Sequence, residues 1–178
     1  MPRCKTCKEK FKPRNFLQKY CMENTRCIAA FVDELRSKKW KKEKKELKEK
    51  LKTLGDYERD ARKVFQQWIR QRDKDLPCIS CGVYKTPQFD AGHYFSANQF
   101  SALIFNEDNV HKQCSVCNDY YSGNLLEYRA GLINRYGLEF VERLERLKDN
   151  GRNYKYSKSE LIDIKNKYKK LINLNQNP

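Results

Sequence analysis

No run of apolar residues in this 178-residue chain is long enough to cross a bilayer, which sets aside a helical membrane protein. The opening residues, MPRCKTCKEK, contain no apolar stretch of the secretory kind. No signal peptide is therefore expected, and a reducing cytoplasm is the expected compartment. Apolar residues are scarce throughout: the hydrophobic set makes up 39% of the chain while Asp, Glu, Lys and Arg make up 34%. One large core is unlike such a composition, and small cores joined by exposed helices are expected. Histidine occurs twice, at His93 and His111, both between two pairs of cysteines. No internal repeat is visible beyond a recurring C-x-x-C unit.

What the chain does have is eight cysteines, six of them in C-x-x-C pairs: Cys4/Cys7, Cys78/Cys81 and Cys114/Cys117. That turn points two thiolates at one ion, so the grouping argues for metal sites rather than disulfides. Cys4, Cys7, Cys21 and Cys27 follow the pattern C-x2-C-x13-C-x5-C. It predicts an N-terminal zinc module over residues 1–30, with Phe11, Phe16 and Tyr20 available to cover the metal. Cys78/Cys81 and Cys114/Cys117 are separated by 32 residues, which leaves space for an insert between two knuckles of a second zinc site. A site of four thiolates is closed and structural, because a catalytic zinc needs an open position. An alternative second site is Cys78, Cys81, Cys114 and His111, with Cys117 spare. Two structural zinc ions per chain are the expectation.

Net charge is +15, and it is uneven. Residues 1–77 carry 24 Lys/Arg against 12 Asp/Glu, whereas residues 78–178 carry 14 against 11. A phosphate polymer is the most economical partner for such asymmetry, since each neutralised phosphate releases counterions. A solvated helix with surplus lysine is the alternative. The densest part, DELRSKKWKKEKKELKEKLK at 33–52, has neither Gly nor Pro and few apolar residues: Leu35, Trp40, Leu47 and Leu51. It predicts an exposed basic helix or linker over 31–55, ended by Gly55, with favourable pairs Glu34–Lys38 and Glu46–Lys50. Either it lies on DNA through Lys38, Lys39, Lys41, Lys42, Lys44 and Lys45, or it is a spacer. In the spacer case Lys5, Lys8, Lys10, Lys12 and Arg14 around the first site are the better contacts.

Residues 56–76 read as an amphipathic helix capped by Asp56, with Tyr57, Ala61, Val64, Phe65, Trp68 and Ile69 on one stripe. Its aromatics are expected in the core, and Pro77 stops it. Residues 124–178 read as C-terminal helices. Leu125, Leu132, Ile133 and Tyr136 precede a break at Gly137, and Phe140, Val141, Leu144 and Leu147 follow it. SKSE at 157–160 is a capping box opening a last helix with Leu161, Ile164, Tyr168 and Leu171. The tail NLNQNP is expected to fray.

A structural zinc accounts for neither the histidines nor Asn118. QFDAGHYF has strand character and carries Asp90 and His93, NVHKQC carries Asn109 and His111, and Asn118 directly follows Cys117. An asparagine at a helix start can offer its amide oxygen to a hard cation, and an aspartate from the facing strand can offer another. A neutral histidine beside that ion can take a proton from water.

C-x2-C, D-x-G-H and N-x4-C-x2-C-N in this order resemble the HNH (His-Me finger, ββα-metal) endonucleases. RDKDLPCISCG, FDAGHY, FNEDNVHKQCSVCN and SGNLLEYRAGLI resemble, over most of the chain, the lambdoid NinG/Rap recombination-nuclease family. The resemblance implies a helix-rich α+β chain with a zinc-stapled ββα-metal nuclease core at 77–123. It implies His93 as general base, Asn109 as brace of the hairpin, and Asn118 as ligand of a catalytic Mg²⁺ or Mn²⁺. Asp90 is either a second ligand, reached through a bend, or structural. His111 is assigned to the scissile phosphate or the metal, and Lys112 is grouped with the DNA contacts. Where such enzymes often carry a lysine four residues after the last cysteine, this chain has Tyr121. The implied substrates are Holliday junctions and D-loops in a bacterial host cell, with a homodimer and recombination proteins as further partners. The competing function is a non-catalytic zinc-binding nucleic-acid adaptor.

Overall fold

A computed structural model of the chain describes residues 1–174. It is a helix-rich α+β protein whose five α-helices accompany one two-stranded sheet. The chain divides into two compact units, one of Met1–Lys52 and one beginning at Thr53. No helix is long and apolar enough to cross a membrane among the described residues.

In the first unit, an isolated bridge between Arg3 and Lys10 forms a small hairpin around the first C-x-x-C turn. Helix α1 (Thr25–Lys50) starts earlier than the sequence suggested, so Cys27 lies in its first turn. Asn24 caps it by accepting from the Cys27 amide at 2.8 Å. Cys4, Phe11, Tyr20, Cys21 and Cys27 form the buried core, with Phe31 of α1 packed against it. Phe16, expected to shield the metal, is instead 92% exposed. Glu34 ties module to helix: it receives the Tyr20 hydroxyl at 2.5 Å and the ammonium groups of Lys5 and Lys38 at 2.7 and 2.6 Å. Those three donors hold its carboxyl well below the usual range, Lys38 foremost.

Beyond Glu34 helix α1 buries nothing, and Leu35, Trp40 and Leu47 are all exposed. Gly55 does not end this helix, which stops at Lys50. Gly55 lies in α2 (Leu54–Arg72), where Thr53 and not Asp56 is the N-cap. Thr53 accepts from the Asp56 amide while Asp56, at N3, accepts from the Thr53 amide: a reciprocal capping box.

The second unit is built on the antiparallel pair β1 (Phe89–His93) and β2 (Val110–Cys114). Every residue of β2 is buried, because both faces of the hairpin are covered. On one face Ala91 and Val110 join Phe65, Trp68 and Ile69 of α2 and Leu161, Tyr168 and Ile172 of α5 (Lys158–Leu174). Tyr168 packs its ring 4.8 Å from Phe65 and 4.9 Å from Trp68, so the expected core role of these aromatics holds. On the other face α3 (Leu125–Tyr136) and α4 (Leu138–Arg146) bring Tyr128, Leu132, Val141 and Leu144 against Ile79 and Tyr94. Gly131 lets α3 lie on the first knuckle, since a Cβ there would sit 1.8 Å from the Ile79 carbonyl oxygen. The break at Gly137, with φ +90°, and the Ser157/Glu160 capping box stand as read from the sequence. Asn173 and Leu174 of the tail expected to fray belong to α5, and residues 175–178 lie outside the described residues.

A buried ion pair locks α2 to β2. Asp73 accepts two hydrogen bonds from the Arg72 guanidinium, at 2.6 and 2.9 Å, and one from the Lys112 amide at 3.0 Å. Arg72 also donates to the carbonyls of Glu107 and Val110. Burial pushes the Asp73 pKa up, but Arg72 and the Lys112 amide outweigh it and hold the carboxyl below its ordinary range.

All eight cysteines are free thiols, gathered into two clusters whose sulfurs lie within 4.8 Å of one another. The first is Cys4, Cys7, Cys21 and Cys27; the second is Cys78, Cys81, Cys114 and Cys117. Cys117 is therefore not spare, and His111 is not in the cluster. Sulfur separations of 3.7 Å (Cys4–Cys27), 3.8 Å (Cys7–Cys21) and 3.7 Å (Cys81–Cys114) are far too long for disulfides. They match the edge of about 3.8 Å that a tetrahedron with Zn–S bonds of about 2.3 Å requires. Burial raises the Cys4 pKa, yet the amides of Cys21, Cys7 and Thr6 more than offset it and bring the thiol to about 6. Cys78 is lowered in the same way by the amides of Cys81, Cys114 and Ser80. Other thiols are pushed up, Cys7 and Cys114 to about 12, so it is the close grouping of four sulfurs that lets each cluster hold a metal ion, and the donor set suits zinc.

Two outcomes follow. Metal analysis of purified protein should give two zinc equivalents, and stripping them with a strong chelator should abolish the cooperative unfolding transition of each unit, because site formation is folding energy in cores this small. Asp73→Ala should cost about 3 kcal/mol in denaturant titrations, since it leaves the Arg72 guanidinium partly buried without its counter-charge.

Candidate functional site

His93 ends β1 at the mouth of a cleft of about 340 Å³. Phe100 and Ser122 line this cleft, together with Gly123, Leu125, Lys148 and Arg152. The half-buried imidazole places Nε2 3.2 Å from the Ile104 carbonyl oxygen. A carbonyl only accepts, so Nε2 carries the proton and Nδ1 keeps its lone pair. Burial lowers the His93 pKa, with the Arg62 charge acting in the same direction and the Ile104 contact opposing. The ring is therefore neutral at pH 7 and basic at Nδ1.

The segment that carries Ile104 is held by Asn109, which is fully buried. Its amide oxygen accepts from the Phe95 amide at 2.7 Å, and its amide nitrogen donates to the carbonyls of Phe95 and Leu103 at 3.0 Å each. Three hydrogen bonds thus span the β1–β2 connection immediately next to His93 and Ile104. Tyr94 donates its backbone N–H to the Asn109 carbonyl at 2.9 Å and closes the same turn.

The other sequence candidates fall elsewhere. His111 pairs across the ladder with Gly92, on the face opposite Val110 and His93. It is 1% exposed, and its Nδ1 lies 3.2 Å from the Tyr128 hydroxyl, which donates onward to the Gly92 carbonyl at 2.9 Å. Burial, aided by Arg72, pushes its pKa down to about 3. His111 is thus a neutral strut between strand and helix, with no access to a phosphate. Lys112 is also withdrawn from the surface: its ammonium donates to the Lys74 carbonyl at 2.8 Å and lies 4.5 Å from the centre of the Phe89 ring. Its grouping with DNA-contacting lysines is corrected accordingly.

Asp90 lies three residues before His93, so the strand alternation turns the two side chains to opposite faces. One Asp90 oxygen accepts from Gln88 at 2.9 Å, while the other is buried without a partner. Its cross-strand neighbour Gln113 also has an unpartnered, buried amide oxygen, folded over Gly92, where a Cβ would meet it at 2.1 Å. Asn118, in the π-helical turn Val116–Tyr120 after the last cysteine, donates to Asp119 at 2.7 Å, and its amide oxygen takes no hydrogen bond among the described residues. Neither Asp90 nor Asn118 lines the His93 cleft. Tyr121 is exposed.

On α1, Lys38, Lys39 and Lys42 pair with Glu34, Glu43 and Glu46. The expected Glu46–Lys50 pair is replaced by Lys42–Glu46, at 4.0 Å. Lys41, Lys44 and Lys45 meet no carboxylate among the described residues, and with Lys48 they follow i, i+3, i+4, i+7 spacing along one face. Sequence reading missed the cations of the cleft, Lys148 and Arg152, because nothing local distinguishes them from other surface charges. It also missed Arg72 and Asp73, whose only signal is a charged pair at a helix end.

Comparison with known proteins adds a family. The family model described as Bacteriophage Lambda NinG protein matches residues 1–177. Protein ninG of Escherichia phage 933W is 37% identical over 188 aligned residues, covering 96% of this chain and 91% of that protein. Protein ninG of Escherichia phage lambda is 42% identical over 122 residues, covering 68% of this chain and 58% of the relative. Protein ninG of Salmonella phage P22 is 39% identical over 122 residues, 68% and 59% of the two chains. No solved structure matches. With the match running through both cysteine clusters and the His93 hairpin, the chain belongs to the NinG family of lambdoid phages.

Proposed function

We propose that this protein is a metal-dependent HNH-type endonuclease that hydrolyses phosphodiester bonds in branched DNA, such as Holliday junctions and D-loops, during phage recombination. The observation that carries this reading is the state of His93. It is neutral, its Nε2–H is tied to the Ile104 carbonyl, and Nδ1 is left as a base at the edge of a cleft lined by two cations. The order hairpin, cysteine knuckle, helix fits a ββα-metal core, with β1, β2 and α3 as its three elements.

In this reading His93 takes a proton from the water that attacks phosphorus. Asn109 positions the base indirectly, by fixing the loop whose Ile104 carbonyl holds Nε2. Asn118 holds a divalent ion, Mg²⁺ or Mn²⁺, through an amide oxygen that takes no hydrogen bond among the described residues, while Asp90, turned to the face opposite His93 with its unpartnered oxygen buried, takes the structural role. When bound, such an ion supplies charge stabilisation for the leaving oxygen. The free lysine face of α1 supplies affinity without sequence preference. Preference for branched DNA follows from the family resemblance, and cleaving both strands of a junction calls for a homodimer.

His93→Ala should lower single-turnover cleavage of a four-way junction by ~10²–10⁴-fold, with zinc content and junction affinity unchanged. Near-normal turnover would end the nuclease reading, and absent cleavage by the wild type with intact binding would favour the adaptor. The pH profile has a definite sign. Because the His93 pKa is lowered from 6.5, the ring is already mostly neutral at pH 6.5. The rate should therefore level off before neutrality and fall only on the acid side; an inflection above pH 7 would contradict this assignment. Replacing Lys41, Lys44, Lys45 and Lys48 with Gln should flatten the log–log salt dependence of binding by about 0.9 per lost contact, while turnover at saturation stays unchanged. An unaltered slope would make α1 a spacer.

A further inference from the structure

We infer that Lys148 and Arg152 form a phosphate-binding site in the His93 cleft and hold a nucleic-acid backbone phosphate beside the one being attacked. The inference rests on the nuclease reading for its mechanistic meaning, but the site itself stands on its own geometry. Acidic residues number 23 in the chain, yet none lines this cleft. Its two charged residues are both cations, both exposed, and neither makes an ion pair among the described residues. Two cations in one cleft with a neutral base make a site for an anion.

The two side chains are also held in place. Arg152 and Lys148 stand 5.3 and 6.0 Å from the centre of the same ring, Phe100, which is itself buried. Such cation–π contacts restrict long side chains that would otherwise sweep freely, and so lower the entropy lost on binding. The turn that bears them is fastened to the loop beneath: the Ala102 amide donates to the Gly151 carbonyl at 3.0 Å. Gly151 fits tightly there, because a Cβ would lie 3.2 Å from the Leu147 carbonyl and 3.4 Å from Leu103. The Leu103 carbonyl accepts from Asn109, and the next residue, Ile104, holds His93. One loop thus sets both the base and the two cations. Ser122 and Gly123, just before α3, also line the cleft, and the N-cap Asn124 makes no side-chain capping hydrogen bond, its amide donating instead to the Cys117 sulfur at 3.5 Å.

The ligand class is a phosphodiester rather than a carboxylate or a free nucleotide. The cleft is open at the surface, so a continuous backbone can run through it. An Arg and a Lys side by side can span adjacent oxygens of one phosphate, the guanidinium through a fork and the ammonium as a point charge.

The test uses the zinc-loaded full chain, ¹⁵N-labelled and without added divalent cation, titrated with the single-stranded trimer dT3 and with dT3 carrying neutral methylphosphonate linkages. Amide shifts should concentrate at Phe100, Gly123 and Arg152 for the charged trimer and vanish for the neutral one. Lys148→Gln with Arg152→Gln should weaken binding at these residues by about tenfold or more. The charge-preserving exchange of Lys148→Arg with Arg152→Lys should keep it within a few-fold, and separates charge from packing on Phe100. Shifts spread over the lysines of α1 and indifferent to the double Gln variant would overturn the inference. Junction cleavage with Mg²⁺ is read separately. Wild type that binds dT3 here but never cleaves upholds the site and ends the nuclease reading; cleavage unaffected by the double Gln variant overturns the site and leaves that reading intact.

Discussion

The sulfurs of Cys78, Cys81, Cys114 and Cys117 lie within 4.8 Å of one another and hold the start of the β-hairpin segment against its end. The ladder alone would not close this loop, because β1 and β2 contribute only five residues each. An isolated hairpin of that size is marginal in water. Once a cation binds four thiolates, the loop is cross-linked at one point. Cys114, the last residue of β2, is itself one of the four thiols, which fixes where the ladder begins. α3 then packs on the knuckle at Gly131. Helix, strand and metal site are therefore one cooperative unit, and the N-terminal cluster plays the same part for a still smaller core.

From that fixed point, buried polar groups determine the geometry around His93. Asp73 and Arg72 connect α2 to β2, Asn109 spans the connecting loop, and His111 bridges β2 to Tyr128 of α3. Each of these groups would be costly if left unpaired, so each admits few alternatives. Polar networks of this type specify a conformation more than they stabilise it. The consequence at the cleft is an imidazole with one nitrogen committed to a carbonyl and the other available. Buried surroundings keep it uncharged at neutral pH.

Charge is distributed by the same economy. Glu34 uses its carboxylate to fasten α1 to the first cysteine module, and further along the helix glutamates pair with only some of the lysines. The face formed by Lys41, Lys44, Lys45 and Lys48 stays unneutralised on a helix that buries nothing there. Positioning falls to the second unit, where the cleft's two cations are steadied on Phe100. In the proposed reading, affinity and chemistry thus reside in different units of the chain.

Much of this was legible in the order of residues. Cysteine spacing identified both clusters because the turn geometry of C-x-x-C is local, and helical periodicity located α2 and the aromatics Phe65 and Trp68 in a core. The Ser157/Glu160 box and Gly137 marked their boundaries for equally local reasons. Errors arose where non-local contacts decide. Lys112 and His111 look like surface chemistry in a polar strand, but that strand is covered on both faces by helices distant in sequence, so both are buried. Asp90 and His93 are close in the chain and yet turned apart by the alternation of a strand whose register only its partner sets. Lys148 and Arg152 had no visible link to His93, because the turn that brings them to the cleft is held by a hydrogen bond between Gly151 and Ala102. Local geometry can be read from neighbouring residues; convergence of distant ones depends on which surfaces pack, and that is a property of the folded chain as a whole.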